Sequence, residues 1–162
     1  MTLRAAAPAD LDAIMLIENR SFPTDAWSTE TMAAELASPH GQYFVDEHEE
    51  EVIGYGGVRA LQGSPDADIQ TIALLSEYRG QGRGRELLRA LLAVARDRGA
   101  REVFLEVRAD NPSAAGLYLA EGFEEIGRRP RYYQPDDVDA IVMRRDLRRH
   151  PLPADEPEEA SA

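Results

Sequence analysis

Apolar residues recur along the chain at two periods, and the switches between them mark out strands and helices. Thr2 to Ala6 reads as a short strand. From Pro8 to about Arg20, Leu11, Ile14, Met15 and Ile17 fall on one helical face, with Pro8 suited to the first turn. After the loop Ser21 to Trp27, Ser28 is placed to cap a second short helix that buries Met32 and Leu36 and stops before Pro39. Gln42 to Asp46 and Glu51 to Leu61 read as a hairpin around the acidic turn His48-Glu49-Glu50, and Ala67 to Leu75 reads as the next strand. Helical spacing returns from Gly82 to about Arg98, where Leu87, Leu88, Leu91, Leu92 and Ala95 share a face; Gly99 ends it. Glu102 to Arg108 is then a strand, so that strand, helix and strand predict a right-handed parallel crossover. Asn111-Pro112 joins a cap to a proline at the first helical position of a helix reaching about Glu121, before Gly122. Phe123 to Arg129 and Val138 to Leu147 complete the pattern as two strands around a Pro130 to Asp137 loop.

This order predicts a single α/β domain over residues 1–147, a mixed sheet of about seven strands flanked by helices. From Arg148 onward the prolines and the acidic residues Asp155, Glu156, Glu158 and Glu159 predict a disordered tail. No internal repeat interrupts the pattern.

The segment Arg79-Gly80-Gln81-Gly82-Arg83-Gly84 lies between an apolar strand and the most amphipathic helix. A glycine-rich basic loop opening a helix builds an anion site, because the first helical N–H groups lack partners and the helix dipole favours negative charge there. A pyrophosphate is the expected ligand. The segment lacks the Gly-Lys-Ser/Thr ending of a nucleoside-triphosphate loop, and no Gly-x-Gly-x-x-Gly run stands near the N-terminus. A flexible strand-to-helix connection remains the plainer reading of such a loop.

Composition narrows the chemistry. The 162 residues are 43% hydrophobic and contain no cysteine, which excludes disulfides, thiolate metal sites and an acyl-cysteine intermediate. His40, His48 and His150 lie far apart, so no metal site is expected. The net charge of −12 argues against nucleic acid as a direct partner and suits a basic protein substrate. All 18 cationic side chains are arginine. No run approaches a membrane span and nothing N-terminal reads as a signal peptide, so no membrane association and a cytoplasmic location are expected.

Arg79-x-x-Gly82-x-Gly84 resembles the Arg/Gln-x-x-Gly-x-Gly/Ala signature of the GNAT superfamily of N-acetyltransferases. Leu105-Glu106-Val107-Arg108-Ala109-Asp110-Asn111, Ala115-Gly116-Leu117-Tyr118, Gly122-Phe123 and Arg128-Arg129-Pro130-Arg131-Tyr132-Tyr133 resemble its RimI-type branch, over about Leu3 to Leu147. The resemblance implies acetyl-CoA as the donor, with its pyrophosphate cradled by Arg79, Gly80, Gln81, Gly82, Arg83, Gly84 and Arg85. It also implies that backbone groups of Ile72, Ala73 and Leu74, freed by a splayed parallel strand pair, hold the acetyl carbonyl and pantetheine. The acceptor it implies is the N-terminal α-amine of a protein, a ribosomal protein beginning with alanine, attacked directly in a ternary complex.

Transfer from a thioester to an amine needs a neutral amine, a stabilised oxyanion and a proton for the departing thiolate. Glu106, a carboxylate in the apolar strand Val103-Phe104-Leu105-Glu106-Val107, is the candidate base; a solvated or arginine-paired glutamate is the alternative. Tyr118 is the candidate acid. It lies seven residues after Asn111, two turns along one helix, so both side chains face one way and are expected to line the cofactor; a core tyrosine is the alternative. The pair Tyr132-Tyr133 beside Arg131, with Trp27 across from it, is the candidate peptide-binding group, although loop tyrosines also pack on sheet edges. A related acetyltransferase acting on lysine or a small amine, and a CoA-binding module without catalysis, are the competing functions.

Overall fold

The computed structural model describes residues 2–148. Strand β1 (Thr2–Ala5) leads through a 3₁₀ turn at Pro8–Asp10 into α1 (Leu11–Ser21), and α2 (Thr29–Ala37) follows, capped by the Ser28 hydroxyl accepting from the Thr31 N–H at 3.1 Å. Strands β2 (Gly41–His48), β3 (Glu51–Arg59) and β4 (Asp66–Leu74) come next, then α3 (Arg83–Asp97), β5 (Glu102–Arg108), α4 (Pro112–Ala120), β6 (Glu124–Tyr133) and β7 (Val138–Asp146). The expected elements are present, with ends moved by a few residues; the tail expected beyond Arg148 falls outside the described residues.

The strands form one mixed sheet in the order β1-β2-β3-β4-β5-β7-β6. Among the described strands only β4 and β5 run parallel, joined through α3 as the strand-helix-strand pattern requires. Two apolar clusters cover the two faces. Leu88, Leu91, Leu92 and Ala95 of α3 pack with Val103, Leu105 and Val107 of β5 and with Tyr118 of α4. On the other face Ile14, Met15 and Ile17 of α1 and Met32 of α2 pack with Tyr43, Val45, Tyr55, Ala73 and Leu75.

A bulge in β4 decides how that strand serves both clusters. The register with β3 passes from Gly57↔Thr71 to Val58↔Ile69, leaving Gln70 unmatched. An extra residue reverses the faces of a strand beyond it. Ala67 and Ile69 therefore join the α3 cluster, while Ala73 and Leu75, of the same parity, join the α1 and α2 cluster. At the same place β4 leaves its parallel partner: β4 and β5 match only at Asp66↔Glu102, Ala67↔Val103 and Asp68↔Phe104. Beyond these rows each strand stays paired on its outer side alone, to β3 and to β7.

One expected loop is a strand. The segment from Pro130 continues β6 as far as Tyr133, and only residues 134–137 turn back into β7. Between Arg129↔Ala140 and Tyr133↔Val138 the strand bulges, with Arg131 at φ 54° and its N–H donating to Asp139 Oδ1 at 2.9 Å. A proline, having no N–H to give the ladder, is tolerated in such a bulge.

Asp46 is fully buried and receives the Arg83 guanidinium in a bidentate pair, Nε to Oδ2 at 2.7 Å and Nη2 to Oδ1 at 2.8 Å. This fixes the first turn of α3 to β2. Removing the cation strands a buried carboxylate, which costs about 3–5 kcal/mol. Arg83→Met is therefore expected to lower the unfolding free energy by that order, read by urea titration with circular dichroism; a loss below about 1 kcal/mol would show that the pair does not anchor the helix.

Candidate active site

The glycine-rich loop takes the form that an anion cradle needs. Gly80 and Gly82 have φ of 76° and 81°, a region that side chains with a Cβ rarely occupy, and Gly82 sits at the N-cap of α3. No side chain caps this helix, so its first-turn N–H groups remain available to a ligand. In front of them opens a cavity of about 730 Å³. It is lined by Ile72, Ala73 and Leu74 from β4, by Arg79, Gly80, Gly82, Gly84 and Arg85 from the loop and α3, and by Asn111, Gly116, Leu117 and Tyr118 around α4.

A second cavity of about 290 Å³ lies beyond the parting of β4 and β5 and shares Phe22, Ile72, Asn111, Ala114 and Tyr118 with the first. Its walls are Glu18, Asp25 and Trp27 from α1 and the loop after it, Gln70 and Thr71 from the β4 bulge, Glu106 and Arg108 from β5, and Tyr132 and Tyr133 from β6. The two cavities meet at Tyr118. Asn111 caps α4 by accepting from the Ala114 N–H at 3.2 Å, which turns both Asn111 and Tyr118 toward the two spaces.

Buried and partly buried residues alternate along β5, with Val103, Leu105 and Val107 in the core, so Glu106 and Arg108 point to the other face. Glu106 is paired with Arg129 on the neighbouring hairpin, at 2.9 Å from Nε, and its side chain keeps 27% of its surface exposed. The arginine-paired alternative is thus present together with a position in the second cavity. The Tyr118 ring packs edge-on against Phe123, and burial pushes its hydroxyl up to about 12. It is a neutral proton donor at any ordinary pH. Burial, with the Glu106 charge adding to it, likewise raises the Tyr133 hydroxyl.

Arg108 gathers three carboxylates from three segments. It bonds Asp110 through Nε at 2.9 Å and Asp136 through Nη2 at 3.0 Å, and its Nη1 lies 3.4 Å from Asp25. The Thr24 hydroxyl donates to Asp136 at 2.5 Å. The loop after α1 and the turn after β6 are thereby tied together beside the second cavity, and the Thr24 bond, then Arg108, holds the Asp136 carboxyl below its ordinary range. Arg108 also lies 5.2 Å over the Tyr133 ring, which it fixes against the cavity wall.

Three expected site residues sit elsewhere. Arg83 is spent on Asp46 and lines neither cavity. Gln81 donates its side-chain amide to the Glu77 carbonyl at 3.3 Å, back along its own loop. Arg131 is turned outward by the bulge, with 77% of its side chain exposed and Asp137 at 3.7 Å. Arg85 lines the first cavity while pairing with Glu121 at 2.6 Å, and Arg79 bonds the Leu74 carbonyl at 3.3 Å. Conversely, Glu18 lines the second cavity and was not among the expected site residues. It follows Ile14 by four residues and Met15 by three, so it occupies the apolar stripe of α1, and a carboxylate in that stripe was the available signal.

A cleft runs from an uncapped helix N-terminus, suited to a phosphate-bearing ligand, to the gap between two parting parallel strands, where a carboxylate and a buried phenol are placed for proton transfer. The chain belongs to the GNAT acetyltransferase family, whose description, Acetyltransferase (GNAT) family, matches residues 11–123. It is 38% identical over 149 residues to the N-alpha-acetyltransferase RimI of Mycobacterium tuberculosis, covering 90% of this chain and 92% of that one. It is 39% identical over 142 residues to an uncharacterized protein of Mycobacterium leprae; that match covers 86% of this chain but only 39% of the relative's length. The crystal structure of the ribosomal-protein-S18-alanine N-acetyltransferase from Escherichia coli superposes with a TM-score of 0.81 at 30% identity, over 90% of this chain and 93% of that one.

The first cavity makes a testable demand on the loop. A Cβ at Gly84 would meet Leu117 at 3.4 Å and Leu74 at 3.7 Å, ordinary contacts, so Gly84→Asp should fold. It nonetheless places a negative charge at the helix N-terminus, and acetyl-CoA affinity is expected to fall at least tenfold by calorimetry. Unchanged affinity in the folded variant would take the pyrophosphate away from this loop.

Proposed function

We propose that this protein transfers acetyl from acetyl-CoA to the N-terminal α-amine of a protein, a ribosomal protein beginning with alanine, in the cytoplasm and without a membrane or nucleic-acid partner. The observation that carries the reading is the second cavity. It holds about 290 Å³, shares Tyr118 with the donor cavity, and brings Glu106 and the Tyr132-Tyr133 pair to one small space. The names of the relatives at 30% identity or more support the same acceptor.

The donor's pieces fit the residues present: left-handed glycines and free N–H groups for the pyrophosphate, and the parted edge of β4 at Ile72, Ala73 and Leu74 for the pantetheine arm. Bound there, it supplies an acetyl thioester at the gap. Backbone N–H groups of the parted β4 edge then have an acetyl oxygen to donate to, the kind of preorganised donor that stabilises an oxyanion. Glu106 receives the proton that the α-amine must lose, and the Tyr118 hydroxyl donates to the departing sulfur. Trp27, Tyr132 and Tyr133 wall the acceptor's first residue. An α-amine has a pKa near ~7.7–8.0 against ~10.4 for lysine, so a single carboxylate suffices for the former.

Two experiments test this reading. Glu106→Gln is expected to lower turnover by about 10²-fold with acetyl-CoA affinity unchanged, the usual scale for a positioned base. Tyr118→Phe is expected to lose less, by a factor constant between about pH 7 and about pH 10, since a phenol pushed up to about 12 does not titrate there. Full turnover in both would remove the base-and-acid assignment. Mass spectrometry of a peptide beginning with alanine and containing an internal lysine is expected to place acetyl on the N-terminus almost alone. Predominant lysine acetylation would overturn the α-amine assignment.

A further inference from the structure

Glu18 is 2% exposed, yet it lines the acceptor cavity. One oxygen accepts from the Tyr55 hydroxyl and the other from the Trp27 N–H at 2.9 Å. Among the described residues no arginine pairs with it, whereas Glu106, on the same cavity, has Arg129, and the buried Asp46 has Arg83. A buried carboxylate is costly unless a cation or enough donors compensate it. Here two donors fix its geometry, and each oxygen still has a free lone-pair direction. The missing charge partner is what a terminal ammonium provides.

We propose that the Glu18 carboxylate is the resident counter-charge for the acceptor's terminal ammonium, making Glu18 a substrate-binding residue distinct from the base. This rests on the α-amine reading above. The peptide's ammonium enters between Glu18 and Glu106, and Glu18 keeps it in the cavity while Glu106 takes one N–H proton, leaving the nitrogen lone pair to attack. Glu106 is less suited to the holding role because Arg129 already neutralises it. The bonds to Tyr55 and Trp27 give the same carboxylate a fixed place between β3 and the loop after α1.

The test compares two ligands that differ only in the ammonium: a short peptide beginning with alanine, and the same peptide with propionyl in place of alanyl. Binding of each to the CoA-saturated enzyme is measured by calorimetry, with no acetyl group present and hence no turnover. The wild type is expected to prefer the amino peptide by at least about tenfold, the scale of a hydrogen bond to a charged group. Glu18→Gln is expected to bind the two within about threefold of each other, while Tyr55→Phe, which keeps the carboxylate, retains the preference. A merely structural Glu18 would weaken both ligands equally and leave the ratio as in the wild type; that result, or no preference in the wild type, overturns the proposal. Should Glu18→Gln not fold, Glu18→Asp withdraws the carboxylate by one methylene and must lower the ratio, and an unchanged ratio overturns it equally. The calorimetry reads ammonium recognition and the mass spectrometry reads where acetyl goes, so each reading can fail without the other.

Discussion

Everything in the site follows from the parting of two parallel strands after three matched rows. Had β4 and β5 stayed paired to their ends, their facing N–H and C=O groups would satisfy one another and the sheet would be closed. They separate instead, at the place where β4 carries its bulge at Gln70, and each remains anchored only by its outer neighbour. The gap holds backbone donors and acceptors that no strand uses. The cavity at the gap is lined by Tyr118 of α4, by the freed β4 residues and by the loop at the N-terminus of α3, so one irregularity brings together the helix dipole, the free edge and the buried phenol.

A gap in a sheet weakens it, and the surroundings are correspondingly stiff. Arg83 and Asp46 lock the start of α3 onto β2, where the left-handed glycines would otherwise leave the helix entry free to swing. Arg108 ties Asp25, Asp110 and Asp136 together from three separate segments, and Thr24 adds a bond to the same Asp136. Exposed ion pairs contribute little one at a time, but Arg108 keeps only 16% of its side chain exposed and serves several partners at once. Arginine suits this task because its planar fork presents donors to more than one carboxylate.

Features with a local cause were legible in the sequence. Ser28 and Asn111 cap their helices, Gly99 and Gly122 adopt the left-handed turns expected after helices, and β5 has the predicted bounds. Features with a non-local cause were not. Ala67, Ile69, Ala73 and Leu75 alternate as though on one face, and only the bulge at Gln70, set by pairing with β3, divides them between two cores. Arg83 stands within an anion-binding motif, and nothing near it in sequence reveals that Asp46, 37 residues away, has claimed its guanidinium. Proline followed by arginine and two tyrosines looks like a loop, because the edge position that tolerates Pro130 is a property of the sheet.

Two of the carboxylates that line the acceptor cavity, Glu106 and Glu18, show how one type of side chain can serve two purposes by its surroundings. Glu106 stands on a strand face open to the cavity and has a cation beside it, so it can change partners at modest cost. Glu18 is enclosed, held at both oxygens by neutral donors, and has no cation beside it among the described residues. A fold selected for stability alone would place an apolar side chain there, since Ile14 and Ile17 on the same helix face are fully packed. That the last turn of the helix instead carries a buried acid facing the cavity, with a tyrosine from β3 reaching across to hold it, means that its destabilising charge is balanced only when a cation arrives. The strand parting and Glu18 are thus two instances of one arrangement, in which groups left incompletely satisfied by the fold are completed by what binds.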